Sequence, residues 1–169
     1  MTERIELEVG GRKFGAAVAV PQGSGKHGVV IVVHEWHGLN AGIRGMVARL
    51  AEEGFVAIAP DLYFGEVAKD DGRAAELMSG MKTEVSVDIF AACTAWGKAH
   101  ARSSGNVAIM GFCMGGAMAF AASTHVKGLA AAVPFYGLPT ASYLDAGAVG
   151  CPIQAHFAKT DDWAKPEKA

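Results

Sequence analysis

The stretch Gly111-Phe112-Cys113-Met114-Gly115-Gly116 decides the fold of this chain. It follows an apolar run, residues 106–110, and precedes a segment of small residues with helical character, residues 117–124. The order strand, G-x-C-x-G, helix is that of a nucleophile elbow, a sharp turn that exposes a nucleophilic side chain at the carboxyl end of a strand. The sequence therefore predicts a strand-to-helix turn with Cys113 at its tip.

The glycines of this pattern and the helix after it fit a reactive cysteine. Side chains at Gly111 and Gly115 would crowd the strand and the helix that meet at the turn. The first turn of the helix directs backbone N–H groups and a partial positive charge toward the site, which favours a thiolate and an oxyanion. The same pattern also fits an ordinary turn with a buried cysteine, because motifs of this length recur by chance.

Alternating strand and helix patterns surround the turn. Residues 5–9 alternate and meet Gly10-Gly11, which predicts a hairpin with residues 14–20. Apolar runs predict buried strands and amphipathic periodicity predicts helices between them; the strands are residues 29–33, 55–59, 129–136 and 153–157, and the helices are residues 43–53, 73–81 and 85–100. This alternation predicts an α/β fold with a mainly parallel sheet, in one domain over residues 1–169.

Composition and charge exclude several classes of protein. Hydrophobic residues make up 51% of the 169 residues, as in a globular domain, and the net charge of −2 without a basic run argues against nucleic-acid binding. The longest apolar run, residues 28–33, is far too short to span a bilayer. Three cysteines are an odd count, so we expect a reduced, cytoplasmic protein in which Cys93 and Cys151 serve as packing residues.

Four segments carry a resemblance to a known family. They are residues 34–40 (HEWHGLN), 60–63 (PDLY), 111–116 (GFCMGG) and 156–161 (HFAKTD), in this order. Together they closely resemble the dienelactone hydrolase family of α/β-hydrolases, over roughly residues 29–169. The resemblance implies an α/β-hydrolase fold with helices on both faces of the sheet. It also implies hydrolysis of a small-molecule lactone or ester, notably of dienelactone to maleylacetate, through a thioester acyl-enzyme without a metal or organic cofactor.

The resemblance implies a role for each matching residue. Cys113 matches the nucleophile, and Asp161 matches the acid that orients the catalytic histidine. Glu35 matches a glutamate that holds the resting thiol until substrate arrives. The backbone N–H groups of Trp36 and Met114 match the oxyanion hole.

The chemistry of the residues agrees with these roles and leaves alternatives open. A carboxylate near a thiol raises the pKa of that thiol, so Glu35 is suited to accept a proton from Cys113. Glu35 could instead cap the next helix, and Asp161 could be a turn residue, with Asp162 as its alternative. Tyr136 ends a predicted strand and is a candidate substrate contact. Two cations that could bind a substrate carboxylate, Arg73 and Lys82, match no motif and fit solvated surface charges.

The sequence departs from the family pattern in its histidines. The triad histidine of the family follows the aspartate, and none of the six histidines of this chain lies there. We therefore expect that residues 1–169 are C-terminally incomplete, lacking a strand and a helix of the fold, and that the chain as given has little turnover. The alternative is a non-catalytic or partner-complemented protein of the same fold. We expect a monomer, with a dimer as the alternative.

Overall fold

The computed structural model of the protein describes residues 2–143, 145–161 and 164. Within these residues, the chain forms six strands, which make one sheet, and four helices. The strands are β1 (Glu3–Val9), β2 (Arg12–Ala19), β3 (His27–Val33), β4 (Val56–Pro60), β5 (Ser103–Phe112) and β6 (Ala131–Phe135). The helices are α1 (Ala41–Glu52), α2 (Asp71–Gly80), α3 (Thr83–Ala99) and α4 (Met114–His125).

The sheet has the order β1-β2-β4-β3-β5-β6 and is parallel from β4 to β6. The hairpin of β1 and β2 adds two antiparallel pairings at the other edge. Its turn lies at Gly10 and Gly11, whose φ angles of 55° and 78° are left-handed, a conformation that glycine adopts without steric cost. The predicted hairpin and the mainly parallel α/β sheet are both confirmed.

Helices cover both faces of the sheet. Helices α3 and α4 bury one face, where Ile31, Ile58 and Ile109 pack against Phe90 and other apolar side chains. Helix α1 covers the opposite face through Ile43 and Val47. Cys93 and Cys151 are both buried, so their predicted role as packing residues is confirmed.

The parallel direction brings the carboxyl ends of β3, β5 and β6 to one edge of the sheet. The predicted strand at residues 153–157 is present as two parallel bridges to β6, Ala132 with Ile153 and Phe135 with His156. These bridges bring the segment that leads to Asp161 alongside β6. In the described part of the chain, no helix combines the length and apolar character needed to cross a membrane.

Candidate active site

Cys113 lies at a strained turn between β5 and α4. Its φ of 54° is unusual for a residue with a side chain, and its N–H donates to the carbonyl of Phe135 at 3.1 Å. A Cβ atom on Gly115 would lie 2.5 Å from the carbonyl oxygen of Val33, and one on Gly111 would overlap the carbonyl of Gly115. The close approach of helix and strand therefore requires both glycines, as the sequence predicts.

Several groups act on the half-buried Cys113 thiol. Burial raises its pKa above the ordinary value of a cysteine, while the Met114 N–H that hydrogen-bonds the sulfur lowers it. The carboxylates of Glu35 and Asp161 raise the pKa further, because a second negative charge is unfavourable beside them. The net direction is upward, so Cys113 is a thiol at neutral pH and reacts only when its proton is removed.

Glu35 and Tyr136 meet beside the elbow. The Tyr136 hydroxyl donates to the Glu35 carboxylate at 3.0 Å, and Tyr136 has a left-handed φ of 39°. Partial burial, together with the hydrogen bond and the charge of Glu35, raises the pKa of Tyr136 to about 12. Tyr136 therefore remains a hydrogen-bond donor to Glu35 throughout the neutral range. Tyr136 thus lies beside the candidate site, as the sequence predicts, and its predicted role in binding substrate stays a prediction.

The two residues of the predicted oxyanion hole are linked by a tyrosine. The Tyr63 hydroxyl donates to the Trp36 carbonyl at 3.0 Å and lies 3.3 Å from the Met114 sulfur. Burial, with a smaller contribution from Cys113, raises the pKa of Tyr63 to about 12. A neutral, buried hydroxyl thus connects the segment after β3 with the first residue of α4.

His34 fixes the backbone on the other side of this link. Its side chain is fully buried, Nδ1 lies 2.6 Å from the Glu35 carbonyl, and the Leu62 N–H donates to Nε2 at 3.2 Å. These partners assign the proton to Nδ1 and use both ring nitrogens, so His34 has no nitrogen left to act as a base. Asp61 holds the same segment by accepting from the N–H groups of Tyr63 at 3.0 Å and Gly65 at 2.7 Å.

Sequence patterns missed the roles of His34 and Tyr63. Both lie at the carboxyl ends of parallel strands, which is the signal that could have marked them. That signal does not distinguish a side chain that supports the site from one that reacts. Their supporting role emerges only from the hydrogen bonds that join β3, β4 and α4.

Asp161 has the features of both interpretations that the sequence left open. Its Oδ1 accepts from the Ala164 N–H at 3.0 Å, as in a turn, and its charge also acts on the Cys113 thiol. The alternative residue, Asp162, lies outside the described residues. The predicted role of Asp161 as the acid of a triad stays a prediction.

The histidine side chains contact residues other than Cys113. His37 lies 3.3 Å from Asp71 at the surface, and the ring of His156 stacks on Phe135 with 4.4 Å between centroids. The remaining contacts join His27 to Gly54 and Arg102, His100 to Trp96 and Arg102, and His125 to Tyr143. Among the described residues, none of the six histidines hydrogen-bonds to Cys113.

The candidate cations lie outside this cluster. Arg73 is bound by Glu66 at 2.6 and 2.9 Å and by Glu76 at 2.6 Å, and these carboxylates raise its pKa. Lys82 is exposed, and with Arg73 it lines a separate cavity of about 420 Å³. Both fit the surface charges that the sequence indicates. The described residues contain no cluster of three or more His, Cys, Asp or Glu side chains arranged to hold a metal ion.

Comparison with known proteins identifies the family of the chain. The sequence profile of the dienelactone hydrolase family matches residues 14–169. The chain is 33% identical over 182 residues to the protein usf of Aquifex pyrophilus, covering 99% of this chain and 75% of that protein. It is 31% identical over 179 residues to the carboxymethylenebutenolidase of Pseudomonas sp. strain P51, covering 99% of this chain and 74% of that enzyme.

A solved structure shares the fold. The crystal structure of a dienelactone hydrolase-like promiscuous phosphotriesterase from metagenomic libraries superposes with a TM-score of 0.85 at 24% identity. The match covers 99% of this chain and 72% of that one. It confirms the predicted α/β-hydrolase architecture, with a mainly parallel sheet between two helical layers.

Proposed function

Because the chain belongs to the dienelactone hydrolase family, we propose that it hydrolyses a carboxylic ester or lactone bond with Cys113 as the nucleophile. The proposal is supported above all by the turn at Cys113, which places a half-buried thiol beside the Met114 N–H and near the Glu35 and Asp161 carboxylates. Among the described cysteines only Cys113 has this setting, since Cys93 and Cys151 are buried and burial raises the pKa of each.

Acylation begins with the transfer of the thiol proton from Cys113 to the Glu35 carboxylate. The thiolate sulfur then bonds to the substrate carbonyl carbon, and the carbonyl electron pair moves to oxygen. The N–H groups of Trp36 and Met114 hydrogen-bond this oxyanion, a contribution of roughly 3 kcal/mol each in preorganised sites. When the carbonyl re-forms, the carbon–oxygen ester bond breaks and the leaving alkoxide takes the proton from Glu35.

Deacylation returns the enzyme to its starting state. A water molecule attacks the thioester carbonyl, passes through a second oxyanion at the same N–H groups, and releases the carboxylic acid and the Cys113 thiol. This step needs a base for the water, and a carboxylate beside the thioester can serve. Asp161, whose charge acts on the sulfur, and Glu35 are the described candidates.

A second function is favoured by the histidines. All six are engaged away from Cys113, and a protein of this fold that is acylated but does not turn over would have that arrangement. The two candidates differ in the fate of the acyl group. Hydrolysis releases it with each cycle, whereas a binding protein retains the acyl group or never takes it up.

The experiment incubates the full chain with p-nitrophenyl acetate and follows both p-nitrophenolate release and the intact protein mass. We expect a burst of p-nitrophenolate, a protein heavier by one acetyl group at Cys113, and a return to the starting mass as the ester is consumed. A stable acetyl-protein would favour the second candidate.

Two variants provide matched controls. Cys113→Ala should abolish the burst and the mass increase, whereas Cys151→Ala, at a buried thiol, should change neither. If Cys113→Ala released p-nitrophenolate at the rate of the unmodified chain, the assignment of the nucleophile would be wrong.

A further inference from the structure

A cavity of about 190 Å³ opens beside the candidate nucleophile, and Cys113 is part of its wall. Four of its lining residues are methionines: Met78, Met81, Met114 and Met118. We propose that this cavity binds an uncharged apolar group of the substrate ester, about the size of a phenyl ring. The proposal rests on the proposed function and specifies the class of ester that the site accepts.

The wall of the cavity is apolar because distant segments bring thioethers together. Met78 and Met81 come from the end of α2 and the residue after it, whereas Met118 lies one turn into α4. Leu138 and Pro139, which follow β6, also line the cavity. Thioether side chains are apolar, polarisable and adaptable, and they pack well against aromatic rings.

The polar groups of the wall are largely engaged with neighbours. The Tyr143 hydroxyl donates to Glu84, and the hydroxyl of Thr140 lies 3.1 Å from that of Ser142. Thr83 is the remaining hydroxyl-bearing side chain of the lining. A ligand in this cavity therefore meets mainly carbon and sulfur atoms.

The charges near this cavity disfavour an anionic ligand. Among the described residues, no Lys, Arg or His side chain lines the cavity. Arg73 is neutralised by Glu66 and Glu76 on the wall of a different cavity. A carboxylate placed in the methionine-lined cavity would lose its hydration without gaining a counterion, which is costly. Glu35, near the reacting carbon, would repel it as well.

The volume of the cavity limits the size of the apolar substrate group that it can hold. An apolar protein cavity of roughly 150 Å³ holds one benzene molecule, so a cavity of about 190 Å³ accepts a ring of that size with little room to spare. A second cavity of about 280 Å³ is lined by Glu35, Tyr136 and Phe112, the residue before Cys113. It leaves space for the more polar end of an ester whose apolar end occupies the first cavity.

The test detects ligand binding from the methyl signals of the methionines and does not require acylation. Cys113→Ala protein labelled with carbon-13 at the methionine methyl groups is titrated with methyl benzoate and, separately, with the anionic monomethyl terephthalate. We expect methyl benzoate to shift the signals of Met78, Met81 and Met118 while that of Met110 stays in place, since Met110 packs on the other face of the sheet. Monomethyl terephthalate should bind at least about tenfold more weakly.

A charge placed in the wall sharpens the test. Met78→Arg should reverse the preference, because Met78 lines this cavity and not the neighbouring one and the guanidinium supplies the missing counterion. The matched control is Leu77→Arg, which introduces the same charge into the wall of the neighbouring cavity and should leave the preference unchanged. Equal affinity for the two esters, or signal changes confined to Met46, would overturn the proposal. Because no acylation is required, that result would leave the assignment of Cys113 to be decided by its own experiment.

Discussion

Two loops flank Cys113 and are anchored in different ways. The β3 loop, residues 34–40, is fixed at several points: His34 is buried with both ring nitrogens bonded, the Trp36 carbonyl accepts from Tyr63, and the His37 carbonyl accepts from Ala68 at 3.0 Å. The β6 loop, residues 136–143, begins at a bond from the Tyr136 N–H to the His156 carbonyl, and its later hydrogen bonds are exposed.

The difference matches what each loop contributes to the proposed reaction. The β3 loop carries the Trp36 N–H, and a donor to an oxyanion is effective only when its position is fixed before charge develops. The β6 loop supplies apolar wall to the methionine-lined cavity, and a wall tolerates local movement that a donor does not. Exposed hydrogen bonds give a segment low local stability, so we expect the β6 loop to open more readily than the β3 loop.

Among the variants, His34→Ala should cause the largest loss of unfolding free energy. The substitution leaves the buried Leu62 N–H without its acceptor and creates a cavity, and together these should cost about 3–5 kcal/mol of unfolding free energy. His34→Gln keeps one donor and one acceptor and should recover most of the loss. Urea unfolding followed by circular dichroism measures both variants. A loss below 1 kcal/mol for the alanine variant would mean that the β3 loop is no better anchored than the β6 loop.

Acid provides the next test of the β3 loop. Burial lowers the pKa of His34 below its usual range, so below about pH 6.5 the unfolded chain binds a proton that the folded chain excludes. Stability should therefore fall with decreasing pH, by up to about 1.4 kcal/mol per pH unit from this residue. His34→Gln should show a shallower decline between pH 6.5 and the folded pKa. Identical pH profiles for the two proteins would contradict a neutral, buried His34.

Tyr63→Phe removes one bond of the β3 loop and leaves the ring in place. Loss of the buried hydrogen bond to the Trp36 carbonyl should cost about 1 kcal/mol. The acylation rate of Cys113 at saturating p-nitrophenyl acetate should also fall, by about tenfold, because the Trp36 N–H loses its support. A stability loss without any change in the acylation rate would make Tyr63 a packing residue only.

The smallest loss of stability is expected for a substitution in the β6 loop. Tyr143→Phe removes an exposed hydrogen bond to Glu84, and such bonds contribute little because water replaces them. The melting temperature should change by about 1 °C or less, and the acylation rate should stay the same. A destabilisation as large as that of Tyr63→Phe would remove the contrast between the two loops.

The sequence predicted those parts of the site that depend on strand direction. Parallel strands end at one edge of the sheet, so the placement of Glu35, Cys113 and Tyr136 together followed from the α/β pattern. The glycines at the elbow were also predictable, because the turn leaves no room for a side chain at those positions. Residues 29–33 of strand β3 are all buried and apolar, so no alternation of polar and apolar residues shows which histidine after it points inward.

Sequence patterns could not predict the methionine-lined cavity. Met78 and Met118 lie far apart in the chain, and they line one cavity because the fold brings the end of α2 near the start of α4. Helical periodicity gives the face of each helix and gives no information on which two faces meet. The size and polarity of the cavity therefore had to come from the structure.

The strand order has a consequence for how the chain folds during synthesis. Val29 of the central strand β3 pairs with Val107 of β5, which the ribosome adds much later. At a rate of about 5–20 residues per second, β5 is synthesised on the order of ten seconds after the apolar β3. The hairpin and β4 are made earlier and pair with each other, and β4 also covers one side of β3. During that interval the open side of β3 is the surface that a chaperone would be expected to protect.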